Sequence, residues 1–140
     1  SNVATIKPID PLTLLLEYTF GVEQNASTPT GSKNAQWYSF AAVGSWSWTD
    51  RFSTALRTEL FLDQGASRTQ GFAASNVLPN PVHNVSLGEV TLAGTYKFTK
   101  MLLGRAEFRQ DWANRPVYQK GASGADSNQT TLALQLIYQY

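Results

Sequence analysis

Arg105, Glu107, Arg109 and Asp111 alternate in sign at every second position of one stretch of this 140-residue chain. Arg57, Glu59 and Asp63 form a second such run, and Glu89 and Lys97 lie on a third segment. Paired carboxylates can serve as general acid and base when their surroundings push their proton affinities apart. Carboxylates interleaved with guanidiniums instead neutralise one another and, where they face water, act on ions and polar solutes. Glu59 and Glu107 each have an arginine two residues away, which favours compensation over acid–base work. Nucleophilic chemistry has little to build on. Ser86 lies three residues from His83, too close along one extended segment to be oriented by it, and no GxSxG elbow or phosphate-cradling glycine loop occurs. His83, the single histidine, stands near Pro81 at a loop boundary and reads as a surface residue, because cysteine is absent and no second histidine could complete a metal site. No enzyme activity, cofactor or metal is expected.

A spacing of two belongs to extended strands, in which successive side chains point to opposite faces. The even positions between the charged residues are apolar: Leu12 to Val22, Tyr38 to Trp48, Phe52 to Leu62, Val90 to Phe98, Leu102 to Trp112 and Leu132 to Tyr140. The odd positions carry the set above together with Glu17, Glu23 and Gln135. One face is therefore greasy and aromatic, the other charged. A soluble sandwich also alternates, but its strands run about five to six residues, whereas membrane-crossing strands need roughly ten. The segments here have the longer span. The expected strands are Leu12–Glu23, Gln36–Trp48, Phe52–Asp63, Val85–Phe98, Met101–Trp112 and Gln129–Tyr140, with Val3-Ala4-Thr5 as the tail of an earlier one and a turn over Ile6 to Pro11.

Connections alternate between tight turns (Pro8 to Pro11, Thr49-Asp50-Arg51, Thr99-Lys100) and long polar loops (Gln24–Asn34, Gln64–His83, and one with Pro116, Gly121 and Gly124). Outer-membrane barrels show this asymmetry, with short turns in the periplasm and long loops outside. Aromatic residues gather at both ends. Trp46, Trp48, Phe52, Tyr96, Phe98, Tyr138 and Tyr140 flank the short turns, and Tyr18, Phe20, Tyr38, Phe40, Phe108 and Trp112 lie toward the long loops. Ten residues from Tyr38 to Trp48, at ~3.4 Å each and a tilt of ~40°, span about 26 Å, close to the ~25 Å apolar band of such barrels.

The fold expected is thus all-β, an antiparallel up-and-down transmembrane β-barrel, with residues 1–140 forming one domain. Charged residues make up 15%, formal net charge is +1 and mean hydropathy is −0.26. This balance points to no nucleic-acid partner, and no apolar run approaches the ~20 residues of a membrane helix. Ser1-Asn2-Val3-Ala4 has no basic or apolar leader character, so a processed or partial chain is expected. About six full strands and one partial are too few to close a barrel in lipid, where eight is the usual minimum. Two explanations remain open: a C-terminal part of a longer barrel, or closure by several copies of a homo-oligomer.

Leu12-Thr13-Leu14 leading to Phe20-Gly21-Val22-Glu23, the hairpin Trp48-Thr49-Asp50-Arg51-Phe52, Leu56 to Phe61 followed by Asp63 and Gly65 to Thr69, and Arg109-Gln110-Asp111-Trp112 together resemble the C-terminal region of the OmpL-like beta-barrel porins. The final Leu134, Leu136, Tyr138, Tyr140 is similar to the C-terminal signal read by the barrel-assembly machinery, with Tyr140 where such signals usually have Phe. The resemblance implies a pore in the outer membrane of a Gram-negative bacterium, with outer-membrane lipid and small hydrophilic solutes or ions as its partners.

The odd-position charges cost about 2–4 kcal/mol each if they face mid-bilayer lipid, so they are expected to line the pore: Glu17, Arg57, Glu59, Asp63, Glu89, Lys97, Arg105, Glu107, Arg109 and Asp111. Two readings of this lining stand side by side, a self-neutralised ladder that stiffens the wall and a filter that sets selectivity. Asp63 and Arg68 also stand where the loop Gln64–His83 would fold inward to constrict the channel. Two functions are compatible with this lining: passive or weakly selective diffusion, or a plugged structural or adhesive barrel working through its outer loops.

Overall fold

The computed structural model describes residues 1–28, 31–69, 84–121 and 124–139. Its strands are β1 (Asn2–Ile9), β2 (Leu12–Thr28), β3 (Gly31–Ser47), β4 (Phe52–Gln64), β5 (Asn84–Lys97), β6 (Leu102–Ala113), β7 (Tyr118–Lys120), β8 (Gly124–Asp126) and β9 (Asn128–Tyr138). Seven of them form one sheet in the order β1-β2-β3-β4-β5-β6-β9, and each neighbouring pair is antiparallel. This is the expected up-and-down meander. The sheet is open, with β1 and β9 at its edges, while β7 and β8 form a separate small hairpin within the last long connection.

Two elements differ from expectation. β1 continues through the predicted turn to Ile9, and its pairing with β2 shifts between Ile6 and Ile9, around Pro8. An edge strand tolerates a proline there because its missing N–H breaks no ladder on a second side. The predicted loop Gln24–Asn34 is mostly strand: β2 and β3 stay paired from Ala26↔Lys33 to Thr28↔Gly31. The register shifts between Glu23 and Ala26, where Gln24 and Asn25 together oppose Asn34. Asn25 adopts φ 55°, a left-handed conformation that asparagine accepts more readily than most residues. Such a bulge reverses the parity of the residues beyond it, which is why Ala26, an even position, is buried.

The tight turns share one local device. At Trp48-Thr49-Asp50-Arg51-Phe52 the Thr49 hydroxyl accepts the amide protons of Arg51 (3.2 Å) and Phe52 (3.0 Å). At Phe98-Thr99-Lys100-Met101-Leu102 the Thr99 hydroxyl accepts those of Met101 (3.1 Å) and Leu102 (3.0 Å). The backbone closes both turns in the same way, through Trp48 N–H to the Phe52 carbonyl and Phe98 N–H to the Leu102 carbonyl. A threonine that organises its own turn offers the chain an alternative to further strand pairing. Thr49→Val or Thr99→Val keeps the shape and removes the acceptor, and is expected to cost about 0.5–1.5 kcal/mol per turn in urea unfolding of the refolded protein.

Burial is reversed relative to a soluble sheet. Every exposed large apolar residue on β2 to β6 is even-numbered, Leu56, Leu60, Leu92 and Phe108 among them, and on β9 Leu132 and Leu134 are 79% and 87% exposed. The odd positions Asp63, Glu89, Thr91 and Asp111 are buried. Gln110 is one of a few polar residues on the apolar face, as are Thr54, Thr58 and Thr130. It accepts a hydrogen bond from the Thr130 hydroxyl (2.6 Å) and donates to the Asp111 carbonyl (2.9 Å), so its side-chain oxygen and one of its N–H groups are satisfied within the sheet.

The aromatic residues pair along the same face. Trp46 and Trp48 stack tilted at 5.8 Å, Tyr96 and Phe98 meet edge-on at 5.2 Å, and Phe20 and Tyr38 lie 5.0 Å apart at the other end. Trp48 donates to the Thr54 hydroxyl (2.9 Å), and the Tyr138 hydroxyl contacts the Met101 sulfur (3.7 Å). Phe52 completes this end opposite Tyr96. Tyr140 lies outside the described residues.

Candidate functional site

Because the registers of β2 to β9 preserve parity over residues 12–23 and beyond, the odd-position charges fall into transverse rows. One row runs Glu17↔Ala41↔Glu59↔Glu89↔Asp111↔Gln129. The next, one step toward the short turns, runs Leu15↔Val43↔Arg57↔Thr91↔Arg109↔Thr131. Alternating signs within strands thus become a row of carboxylates beside a row of guanidiniums.

These rows interlock. Arg57 bonds Glu59 and lies 3.4 Å from Glu89, while Arg109 reaches Glu89 at 2.7 Å and donates to both Asp111 oxygens, with Nε at 2.9 Å from each and Nη2 at 2.7 Å from one. Glu59 also accepts from the Ser39 hydroxyl at 3.1 Å. Glu89 and Asp111 keep only 6% and 8% of their side-chain surface exposed, so both need compensation: Glu89 has Arg109 and Arg57, and Asp111 has Arg109 alone among the described residues. Arg105 and Glu107 form a separate pair at 2.8 Å, and Arg105 Nε is buried without a hydrogen-bond partner. Glu17 sits on the carboxylate row, and Lys97 lies opposite Leu103 near the short turns; neither has an ion-pair partner among the described residues.

Asp63 is 1% exposed, and its carboxylate holds down the start of the following loop. One oxygen accepts from the amides of Arg68 and Thr69 (2.8 Å each) and from the Thr69 hydroxyl (2.9 Å). Gly65 and Ala66, at φ 89° and 54°, turn the chain so that 67–69 return over the charged face. Arg68 then crosses two strands, lying 4.0 Å over the Trp37 ring and reaching Glu23 at 2.7 Å. Trp37 lies flat over Gly21, its cross-strand partner; a Cβ there would fall 2.2 Å from the indole, so only glycine leaves room. The far part of the loop, including His83, lies outside the described residues.

Residues 117–119 cover the same face from the other side. Ala66, Val85 and Val117 make a small buried cluster flanked by Leu87, Ala113 and Tyr118. Between these inward segments and the wall lies a cavity of about 810 Å³.

A sheet of long strands, apolar and aromatic on its exposed face and charged on its buried face, with inward-folded loop segments, is the wall of a membrane-spanning β-barrel. The family model described as "Putative beta-barrel porin-2, OmpL-like" matches residues 1–140, and the chain belongs to that family. Comparison with curated proteins and with solved structures gives no match. A porin role at the outer membrane follows from the family.

Trp37, Ser39, Thr69 and Tyr118 escape a reading of the sequence alone. Trp37 carries a signal, since it is an aromatic residue at an odd position. The others become visible only once the loop backbones are placed.

Proposed function

We propose that the charged face lines a water-filled lumen through which small hydrophilic solutes diffuse passively or with weak selectivity. The observation that carries this reading is the reversal of burial: the carboxylates of Asp63, Glu89 and Asp111 are enclosed on one face beside partly exposed guanidiniums, while Leu92, Leu134 and their neighbours are bare on the other. A bare apolar face belongs in hydrocarbon, and a mixed-charge face belongs in water. In this reading the barrel stands in the outer membrane of a Gram-negative bacterium. The Trp46/Trp48 and Phe20/Tyr38 ends sit at the two headgroup levels, and the short turns face the periplasm. Strands beyond this sheet, from the same chain or from further copies, close the wall, and β9 presents the assembly signal. The segment held by Asp63 and Arg68 narrows the path.

Liposome swelling with the complete protein and graded sugars tests this, with faster swelling for monosaccharides than for trisaccharides expected. The apolar cluster of Ala66, Val85 and Val117 on the lumen side favours a second reading, a plugged barrel acting through its outer loops. Absence of swelling with every sugar would select it. Arg105→Glu tests the lining itself, because among the described residues Arg105 pairs only with Glu107, and it is partly exposed. One unit charge at ~6 Å in water is worth about 0.7 kcal/mol, or roughly threefold, so a reversal, which changes two units, is expected to raise cation permeability roughly tenfold and lower anion permeability by about the same factor at low salt. An unchanged reversal potential would make that pair purely structural.

A further inference from the structure

We infer that the cavity between the wall and the inward segments is a subsite for small organic cations that carry an ammonium group on an apolar body; this rests on the porin reading above. Four carboxylates line the cavity, those of Glu59, Glu89, Glu107 and Asp111, against two guanidiniums, Arg68 and Arg109. Arg57 and Arg105, the partners of Glu59 and Glu107, are not part of the lining. Both lining guanidiniums are engaged, Arg68 by Glu23 and the Trp37 ring, Arg109 by Glu89 and Asp111. Among the ion pairs that involve arginine in the described residues, five carboxylates (Glu23, Glu59, Glu89, Glu107, Asp111) meet four guanidiniums (Arg57, Arg68, Arg105, Arg109). Asp63, answered only by neutral donors, adds to the negative side.

Within this surplus Glu107 is the side chain placed to bind. Arg105 engages only its Oε2, and its other oxygen has no donor among the described residues. Part of the side chain remains exposed. A carboxylate has about four lone-pair sites, so an ammonium group can be accepted without breaking the existing pair. The rest of the cavity supplies the apolar body's contacts: Phe61, Leu87, Val117 and Tyr118 all line it. Burial, and then the charge of Asp111, hold the Tyr118 phenol above the usual tyrosine range, so the ring is neutral and adjoins negative potential. The volume lies within the range of small-molecule sites, ~300–1,000 Å³.

Planar-bilayer recording of the complete protein tests the assignment, with benzylammonium, benzenesulfonate and benzyl alcohol as probes. Benzylammonium is expected to reduce the open-pore current in a voltage-dependent, saturable way, and the other two are expected to leave it unchanged. Glu107→Gln should weaken that block about tenfold, the scale of one charge-assisted hydrogen bond. Tyr118→Leu, in the hairpin rather than in the wall and outside the ion pairs, should weaken it by a smaller factor; its hairpin position guards against a folding defect in the first variant. Equal block by benzenesulfonate, or benzylammonium block that both variants leave intact, overturns the inference while a conducting pore upholds the porin reading. A protein with no conductance overturns both.

Discussion

Arg109→Ala is expected to cost the folded protein about 3–5 kcal/mol, the largest loss from any single truncation on the charged face. Arg109 is shared between two carboxylates that have almost no contact with solvent, Glu89 and Asp111, and it supplies three of the hydrogen bonds that hold Asp111. Its removal leaves Asp111 with no cation and Glu89 with only Arg57, 3.4 Å away. Glu89→Ala should cost far less, about 1–2 kcal/mol, even though Glu89 sits at the centre of the network. Without it Arg57 still bonds Glu59 and Arg109 still bonds Asp111, so charge stays balanced. The order of the two losses is therefore the sensitive quantity. Urea unfolding of both variants in lipid vesicles measures it, and a Glu89→Ala loss equal to or above that of Arg109→Ala would contradict the pairing described.

Leu92→Arg is expected to cost about 2–4 kcal/mol by the same measurement. Leu92 lies between Leu56 and Phe108 on the bare face, midway between the row of Phe52 and Tyr96 and that of Gly88 and Trp112. An arginine there would stand at the centre of the hydrocarbon, farthest from either headgroup level. Gln135→Arg, on the opposite face of β9, should cost less than about 1 kcal/mol, since the new charge meets water and only its cross-strand neighbour Arg105 opposes it. Similar losses for the two would mean that both faces meet the same medium.

How much of this was legible in the sequence depends on whether a property is local. Face polarity was legible, because Leu56-Arg57-Thr58-Glu59-Leu60 shows its alternation without any partner strand. Tight turns were legible too, although the shared aromatic-Thr-x-x-apolar pattern of Thr49 and Thr99 became meaningful only with the hydroxyl contacts in view. Transverse order was hidden. Arg57 and Glu59 read as alternating charges along one strand; that Glu59, Glu89 and Asp111 share a row is fixed by register, which depends on several strands together. The bulge at Asn25 was hidden for a related reason, since Gln24 to Asn34 has loop composition and only continued pairing makes it strand. Asp63 and Arg68 meet at the start of the loop that leaves β4, through the Arg68 amide. The residues that receive the Arg68 side chain, Trp37 and Glu23, lie on other strands; Glu23 was legible as an odd-position charge, whereas Trp37 and the meeting of both with Arg68 were missed.

The central claim is that the even-numbered face of the sheet touches lipid and the odd-numbered face touches water. Nitroxide labels at Leu92 and Leu134, compared with labels at Thr131 and Gln135, test it most directly in the complete protein reconstituted into bilayers. The first pair should be relaxed by oxygen and shielded from a water-soluble nickel chelate, and the second pair should show the opposite. Chelate access at Leu92 and Leu134 together with oxygen-dominated relaxation at Thr131 and Gln135 would contradict the account.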